Sequence, residues 1–201
     1  MTADWRLCFV GDSFVQGTAD DACLGWVGRA AATARNAGHD VTSYNLGIRR
    51  DTSADIRRRW QSECTRRFRD GCRNAIAFSF GANDMTVENG RLRVPLEDSL
   101  ANLSAILTEA RAVAPVLMIG PLPVNDRSQD ERLAVLCEHY TTTSAQLGVP
   151  YLPLLQTMTD DTRWQQAVAK GDGTHPDGDG YARVAERVMQ WPAWWFSTTP
   201  L

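Results

Sequence analysis

Leu7-Cys8-Phe9-Val10-Gly11-Asp12-Ser13 is an apolar run, a glycine that ends it, and a serine on a polar turn. Four apolar residues bounded by a turn signal read as a strand buried on both faces. Further strand-like stretches ended by glycine follow down the chain. Val41-Thr42-Ser43-Tyr44-Asn45-Leu46 stops at Gly47, Ala75-Ile76-Ala77-Phe78-Ser79-Phe80 stops at Gly81, and Val116-Leu117-Met118-Ile119 stops at Gly120-Pro121. Tyr151-Leu152-Pro153-Leu154-Leu155 reads as a fifth, shorter strand, and its proline places it at a sheet edge.

Helical patterns separate these runs. One extends from Gly25 to Ala37 and is closed by Gly38. Asp51-Thr52-Ser53-Ala54-Asp55 is a helix start with an acidic first turn, followed by Ile56, Trp60, Cys64 and Phe68 at every fourth position. From Pro95 to Ala114, the residues Leu96, Leu100, Leu103, Leu107 and Ala110 share one face. Further helices run from Asp130 to Leu147, from Asp160 to Lys170, and from Gly178 to about Gln190 before Pro192. Strands alternating with helices imply a parallel sheet with helices on both faces, here as a single α/β domain over residues 1–201.

Composition narrows the partners. A net charge of -3 gives no reason to expect nucleic acid or an anionic membrane. No apolar segment approaches the ~20 residues that span a bilayer. The five cysteines are odd in number, irregularly spaced and without a C-x-x-C pair, which points to a reduced, cytoplasmic protein. Cys8 and Cys137 lie in apolar surroundings and read as packing residues. The start Met1-Thr2-Ala3-Asp4-Trp5-Arg6 shows no signal-peptide pattern. A homo-oligomer is left open.

Ligands of such sheets bind beyond the C-terminal strand ends, at the switch point. Gly11-Asp12-Ser13, Asn45-Leu46-Gly47 and Gly81-Ala82-Asn83-Asp84 follow the first three strands. With the first strand in the middle, Ser13, Gly47 and Asn83 converge. They bring a hydroxyl, a backbone N–H clear of side-chain bulk, and an amide donor. Attack on an ester carbonyl places negative charge on its oxygen, which preorganised donors must meet. The N–H of Ser13, the N–H of Gly47 and the Asn83 side chain are the candidate oxyanion donors.

The base must be one of three histidines. His39 follows a helix-ending glycine and reads as a turn residue. His139 lies within a helix and reads as a structural or solvent-facing residue. His175 stands in Asp172-Gly173-Thr174-His175-Pro176, a loop that offers it little packing reason to exist. Asp172, three residues earlier, can reach one imidazole nitrogen through a tight turn, leaving the other to accept the Ser13 proton. Asp177 and Asp179 read as caps of the last helix, and Asp12 as the residue that holds the serine turn.

These four blocks, in this order, resemble the GDSL-type esterases and lipases of the SGNH hydrolase superfamily, named for Ser, Gly, Asn and His. Ser13 in Gly11-Asp12-Ser13-Phe14, Gly47, Asn83 and His175 match the four positions. The resemblance implies a flavodoxin-like three-layer α/β/α sandwich with a five-stranded parallel sheet. It implies hydrolysis of small-molecule esters or thioesters through an acyl-serine, with Ser13, His175 and Asp172 as catalytic triad and with no metal or organic cofactor. The family also contains acyltransferases and carbohydrate deacetylases. Phe14 stands in the place of the usual leucine. Arg50 stands where a second glycine often follows, which puts the local backbone path in question.

The pocket is expected from short loops, Val15–Leu24, Met85–Val94 and Leu122–Gln129, which favours small or short-acyl substrates. Arg49 and Arg50 read as solvent-facing, with an acidic substrate group as the alternative. Arg57, Arg58, Arg59, Arg66, Arg67, Arg69 and Arg73 read as the solvated face of a helix. Trp191, Trp194, Trp195 and Phe196 read as packing over an edge of the fold. A non-catalytic flavodoxin-like ligand-binding module would share the architecture but leave Asn83 and the Asp172–His175 pair unexplained. A phosphate-binding G-x-x-x-x-G-K-[ST] loop and a G-x-S-x-G elbow are both absent.

Overall fold

The computed structural model describes residues 3–197. In chain order the elements are β1 (Asp4–Gly11), α1 (Ser13–Gln16), α2 (Gly25–Asn36), β2 (Asp40–Gly47), α3 (Ser53–Thr65) and β3 (Arg73–Ser79). There follow β4 (Val87–Glu88), β5 (Arg91–Leu92), α4 (Leu96–Arg111), β6 (Val116–Ile119), α5 (Arg127–Gln146) and β7 (Tyr151–Leu152). Helices α6 (Leu155–Thr159), α7 (Thr162–Lys170) and α8 (Gly178–Gln190) complete the series.

Five strands form one parallel sheet in the order β2-β1-β3-β6-β7. Helices α2, α7 and α8 pack together, as do α3, α4 and α5, giving a three-layer α/β/α sandwich. Strand β1 sits between β2 and β3, with Gly11 paired to both Gly47 and Ser79. The ends of these three strands are therefore level, and the loops leaving them share one rim. The apolar runs of β1, β3 and β6 are buried, as expected for inner strands. Strand β2 lies at an edge and alternates between covered and exposed positions.

The sequence signals act locally. Thr52 and Asp55 form a reciprocal capping box at the start of α3, whose Ile56, Trp60 and Cys64 are fully buried. In α4 the buried face runs through Ser99, Asn102, Leu103, Ile106 and Leu107, while Leu96 and Leu100 are only partly covered. Leu103, Ile106 and Leu107 join the hydrophobic core, while Ser99 and Asn102 bond to Asp84 and Ser53. Helix α5 begins earlier than expected, because the Asp126 side chain accepts from Gln129 N and caps it.

The fifth strand is shorter than the sequence reading. Only Tyr151 and Leu152 pair, and Leu155 opens α6 with Leu154, Leu155 and Met158 buried. A short apolar run cannot by itself distinguish strand from helix. The edge position of β7 agrees with the reading, although Pro153 falls just beyond it.

The C-terminal aromatics close the opposite end of the sheet. Trp194 is buried, and the ring of Phe196 lies 5.2 Å from Trp5 and 4.7 Å from His39. His139 faces solvent on α5. Among the described residues no helix is long and apolar enough to cross a membrane.

Candidate active site

The turn carrying Ser13 is built by close approach. A β-carbon at Gly11 would stand 2.1 Å from Ser79 O and 2.4 Å from a Val15 methyl, so only glycine fits. Asp12 is buried and caps α1 by accepting from Phe14 N at 3.0 Å. Burial pushes its carboxyl up to about 7, with Asp84 and Asp51 adding to the rise against the opposing Phe14 bond. Phe14 is buried beneath the turn, its ring 4.8 Å from the His175 imidazole and 6.3 Å from Trp164. The aromatic thus does the packing expected of an apolar residue at that position.

His175 is delivered by the loop between α7 and α8. Gly171 allows the loop to fold back, since a β-carbon there would meet His175 O at 2.0 Å. Asp172 Oδ1 accepts from Thr174 N at 3.0 Å and His175 N at 2.7 Å, and Oδ2 lies 2.8 Å from His175 Nδ1. His175 Nε2 lies 2.7 Å from Ser13 Oγ. Burial alone would raise the Asp172 carboxyl, but the backbone and ring bonds from His175 outweigh it and hold the group below its ordinary value. Asn125 Nδ2 braces the loop from outside by donating to Gly173 O at 3.1 Å. Asp177 caps α8 through Asp179 N and Gly180 N.

Gly47 and Asn83 reach the same rim, with a difference at Gly47. Its N–H is not free: it donates to Asn45 Oδ1 at 3.0 Å. Asn45 also donates to Val15 O at 2.7 Å, so this Asx turn ties the end of β2 to α1. Asn83 Nδ2 donates to Asp51 O at 3.0 Å, and Asn83 Oδ1 accepts from Arg93 at 3.3 Å. The second amide hydrogen of Asn83 has no partner among the described residues.

A buried network lies below this rim. Asp84 accepts from Ser53 N at 2.8 Å and from Ser99 Oγ at 2.5 Å, and Ser99 Oγ lies 3.1 Å from Tyr140 OH. It thereby fastens α3, α4 and α5 to the loop carrying Asn83. Burial raises the Asp84 carboxyl above its ordinary value despite those bonds.

Arg59 departs from the solvated-face reading. Its side chain is 15% exposed and donates to Gly11 O at 2.9 Å, Asp51 Oδ2 at 2.6 Å and Glu63 Oε2 at 3.1 Å. It joins the turn before Ser13 to the residue that holds Asn83. Arg67 and Arg73 lie over the rings of Tyr44 and Trp5, whereas Arg58, Arg66 and Arg69 are exposed. Sequence periodicity missed Arg59 because a helix of this polarity gives no sign of which arginine turns inward.

Arg50 keeps the path a glycine would take. Its φ is 69°, in the left-handed region, and its guanidinium meets Glu88 at 2.6 Å across the rim. Beside the His175 loop lies a hollow of about 260 Å³ lined by Pro123, Asn125, Thr159, Trp164 and Val168.

A serine, an imidazole and a carboxylate thus stand in hydrogen-bonded series at the C-terminal rim of the parallel sheet. The sequence signature of the GDSL-like lipase/acylhydrolase family matches residues 9–183, and the chain belongs to this family of carboxylic ester hydrolases. The fold is shared with a lipase/acylhydrolase from Enterococcus faecalis at 21% identity, covering 94% of this chain and 93% of that one with a TM-score of 0.75. It is shared with Axe2, an acetylxylan esterase from Geobacillus stearothermophilus, at 14% identity, full coverage of both chains (100% and 100%) and a TM-score of 0.77. LAE5, an alpha/beta hydrolase enzyme from the metagenome of Lake Arreo, Spain, is similar at 19% identity, 94% and 95% coverage, and a TM-score of 0.75. A search of curated proteins gave no significant match.

Proposed function

We propose that the chain acts as one catalytic domain that hydrolyses small, short-acyl esters or thioesters through an acyl-serine at Ser13. The observation that carries this is the continuous series Ser13 Oγ–His175 Nε2 at 2.7 Å and His175 Nδ1–Asp172 Oδ2 at 2.8 Å. His175 takes the hydroxyl proton as Oγ attacks the carbonyl carbon. Asp172, ionised, keeps the Nδ1–H tautomer and stabilises the imidazolium that forms. The tetrahedral oxyanion is met by the N–H of Ser13 and the unused N–H of Asn83. Gly47 N–H joins them by sharing or leaving its bond to Asn45. Collapse expels the alcohol or thiol, which takes the proton from His175. Water, activated by the same imidazole, then releases the acid.

The short loops around the rim support a small acyl group. The full-length likeness to an acetylxylan esterase supports the same direction. Carbohydrate deacetylation would use this site unchanged, and acyl transfer would replace the water by a second alcohol. All five cysteines are free thiols, which supports a cytoplasmic location.

A panel of acetyl, butyryl, octanoyl and palmitoyl esters and thioesters, with Ser13→Ala as the blank, tests the reading. Acetyl or butyryl substrates should turn over fastest, and the blank should be inert. Preference for palmitoyl would refute the short-acyl assignment. Parental turnover by Ser13→Ala would refute the nucleophile.

A further inference from the structure

Arg93 follows β5 and is the group that faces the oxygen of Asn83. Its side chain is 18% exposed, its backbone N–H donates to Thr86 O at 2.9 Å, and its Nε lies 3.6 Å from Glu88 Oε1. Glu88 is also the partner of Arg50. The hairpin β4–β5 thus carries a guanidinium inward and steadies it on its own carboxylate.

The Asn83 amide lies between two groups of opposite hydrogen-bonding sense. Arg93 Nη1, a donor, meets Oδ1 at 3.3 Å, while Asp51 O, an acceptor, meets Nδ2 at 3.0 Å. A guanidinium has no acceptor to offer, and a carbonyl has no donor. A flipped amide would set donor against donor and acceptor against acceptor. One orientation remains, and in it the second hydrogen of Nδ2 is unspent.

We propose that Arg93 is a positioning residue for Asn83, locking the amide so that its unused N–H is presented to the oxyanion. This rests on the reading of Asn83 as an oxyanion donor. The charge of Arg93 also polarises the amide through Oδ1, strengthening the donor as negative charge develops. Such an effect belongs to the transition state. It should therefore appear in kcat and leave KM nearly unchanged.

The test is a double-mutant cycle on p-nitrophenyl acetate with Arg93→Ala, Asn83→Ala and the pair together. Asn83→Ala should lower kcat about 10²-fold. Arg93→Ala should lower it about 10-fold, with KM within about 2-fold of the parent. In the Asn83→Ala background, Arg93→Ala should cost nothing more, because there is no amide left to orient. Arg93→Lys, which retains a charged donor, should recover part of the loss, and Arg93→Met should not.

An equal loss from Arg93→Ala in both backgrounds would overturn the proposal, as would parental kcat in Arg93→Ala beside a slow Asn83→Ala. Parental kcat in Asn83→Ala would instead remove the oxyanion role of Asn83, and the positioning role with it. Should Arg93→Ala fail to fold, the Lys and Met variants carry the same comparison.

Discussion

Gly47 lies against the backbone of Gln16: a β-carbon at position 47 would stand 2.2 Å from Gln16 N and 2.8 Å from Asp12 O. The end of β2 is thus the seat of the helix that begins with Ser13. Glycine is needed here for close approach, whatever its N–H contributes to chemistry. Gly47→Ala should push α1 outward and spoil the Ser13–His175 distance. Overpacking of this kind costs about 1–3 kcal/mol, or roughly 3–10 °C in melting temperature for a chain of this size. Thermal melts and esterase assays on that variant should show both losses together.

Asp12 gives a pH dependence with a definite sign. Its carboxyl titrates at about 7 in the folded protein against 3.8 for the unperturbed group, chiefly because it is buried. Between those values the unfolded chain gives up the proton while the folded chain keeps it. The Asp12 contribution to stability is therefore fully present below about pH 4 and is lost as pH rises to about 7. Asp12→Asn keeps an oxygen to cap Phe14 N but removes the titration. The melting temperature of Asp12→Asn relative to the parent should climb from pH 4 to pH 7 and level off above. A constant difference across that range would contradict the account.

Arg59→Lys keeps the charge but cannot serve Gly11 O, Asp51 and Glu63 at once. Loss of these charge-assisted bonds at a mostly covered site should cost about 1.5–3 kcal/mol. Urea denaturation should show a lower midpoint with an unchanged slope, since the surface exposed on unfolding stays the same.

Arg50→Gly should be close to neutral. It relieves a left-handed backbone, worth about 1–2 kcal/mol. It also loses an exposed ion pair worth about 0–1 kcal/mol and loosens the unfolded chain by about 0.4–1 kcal/mol. A melting temperature within a few degrees of the parent is expected, whereas a large fall would mean that the Arg50–Glu88 pair anchors the hairpin.

The legible part of this protein is what short-range chemistry imposes. Continuous apolar runs ending in glycine mark inner strands because both faces are covered. Ser13 and Asn83 stand out because polar residues follow those runs where the core does not ask for them, Gly47 because it ends such a run, and His175 because it stands in a polar, glycine-containing loop. Other features depend on partners distant in sequence. Arg59 and Arg58 look alike along the chain, yet only Arg59 reaches Gly11. Ser99 and Asn102 interrupt the leucine stripe of α4 because Asp84 and Ser53 lie opposite them. The stretch Met85–Val94 reads as a loop but holds the hairpin β4–β5: its strands are too short to show a period, and Asn89-Gly90, both at positive φ, is the turn signal that the reading left unused. The Gly47 N–H looked available because no pattern shows that Asn45 folds back onto it.

The central claim is that the Ser13 oxygen becomes acylated. Rapid quenching of the parent with p-nitrophenyl acetate, followed by peptide mass spectrometry, measures this directly. A single acetyl group on the peptide bearing Ser13, absent in Ser13→Ala together with turnover, is the predicted result. An acetyl group on another residue, with Ser13→Ala still active, would contradict it.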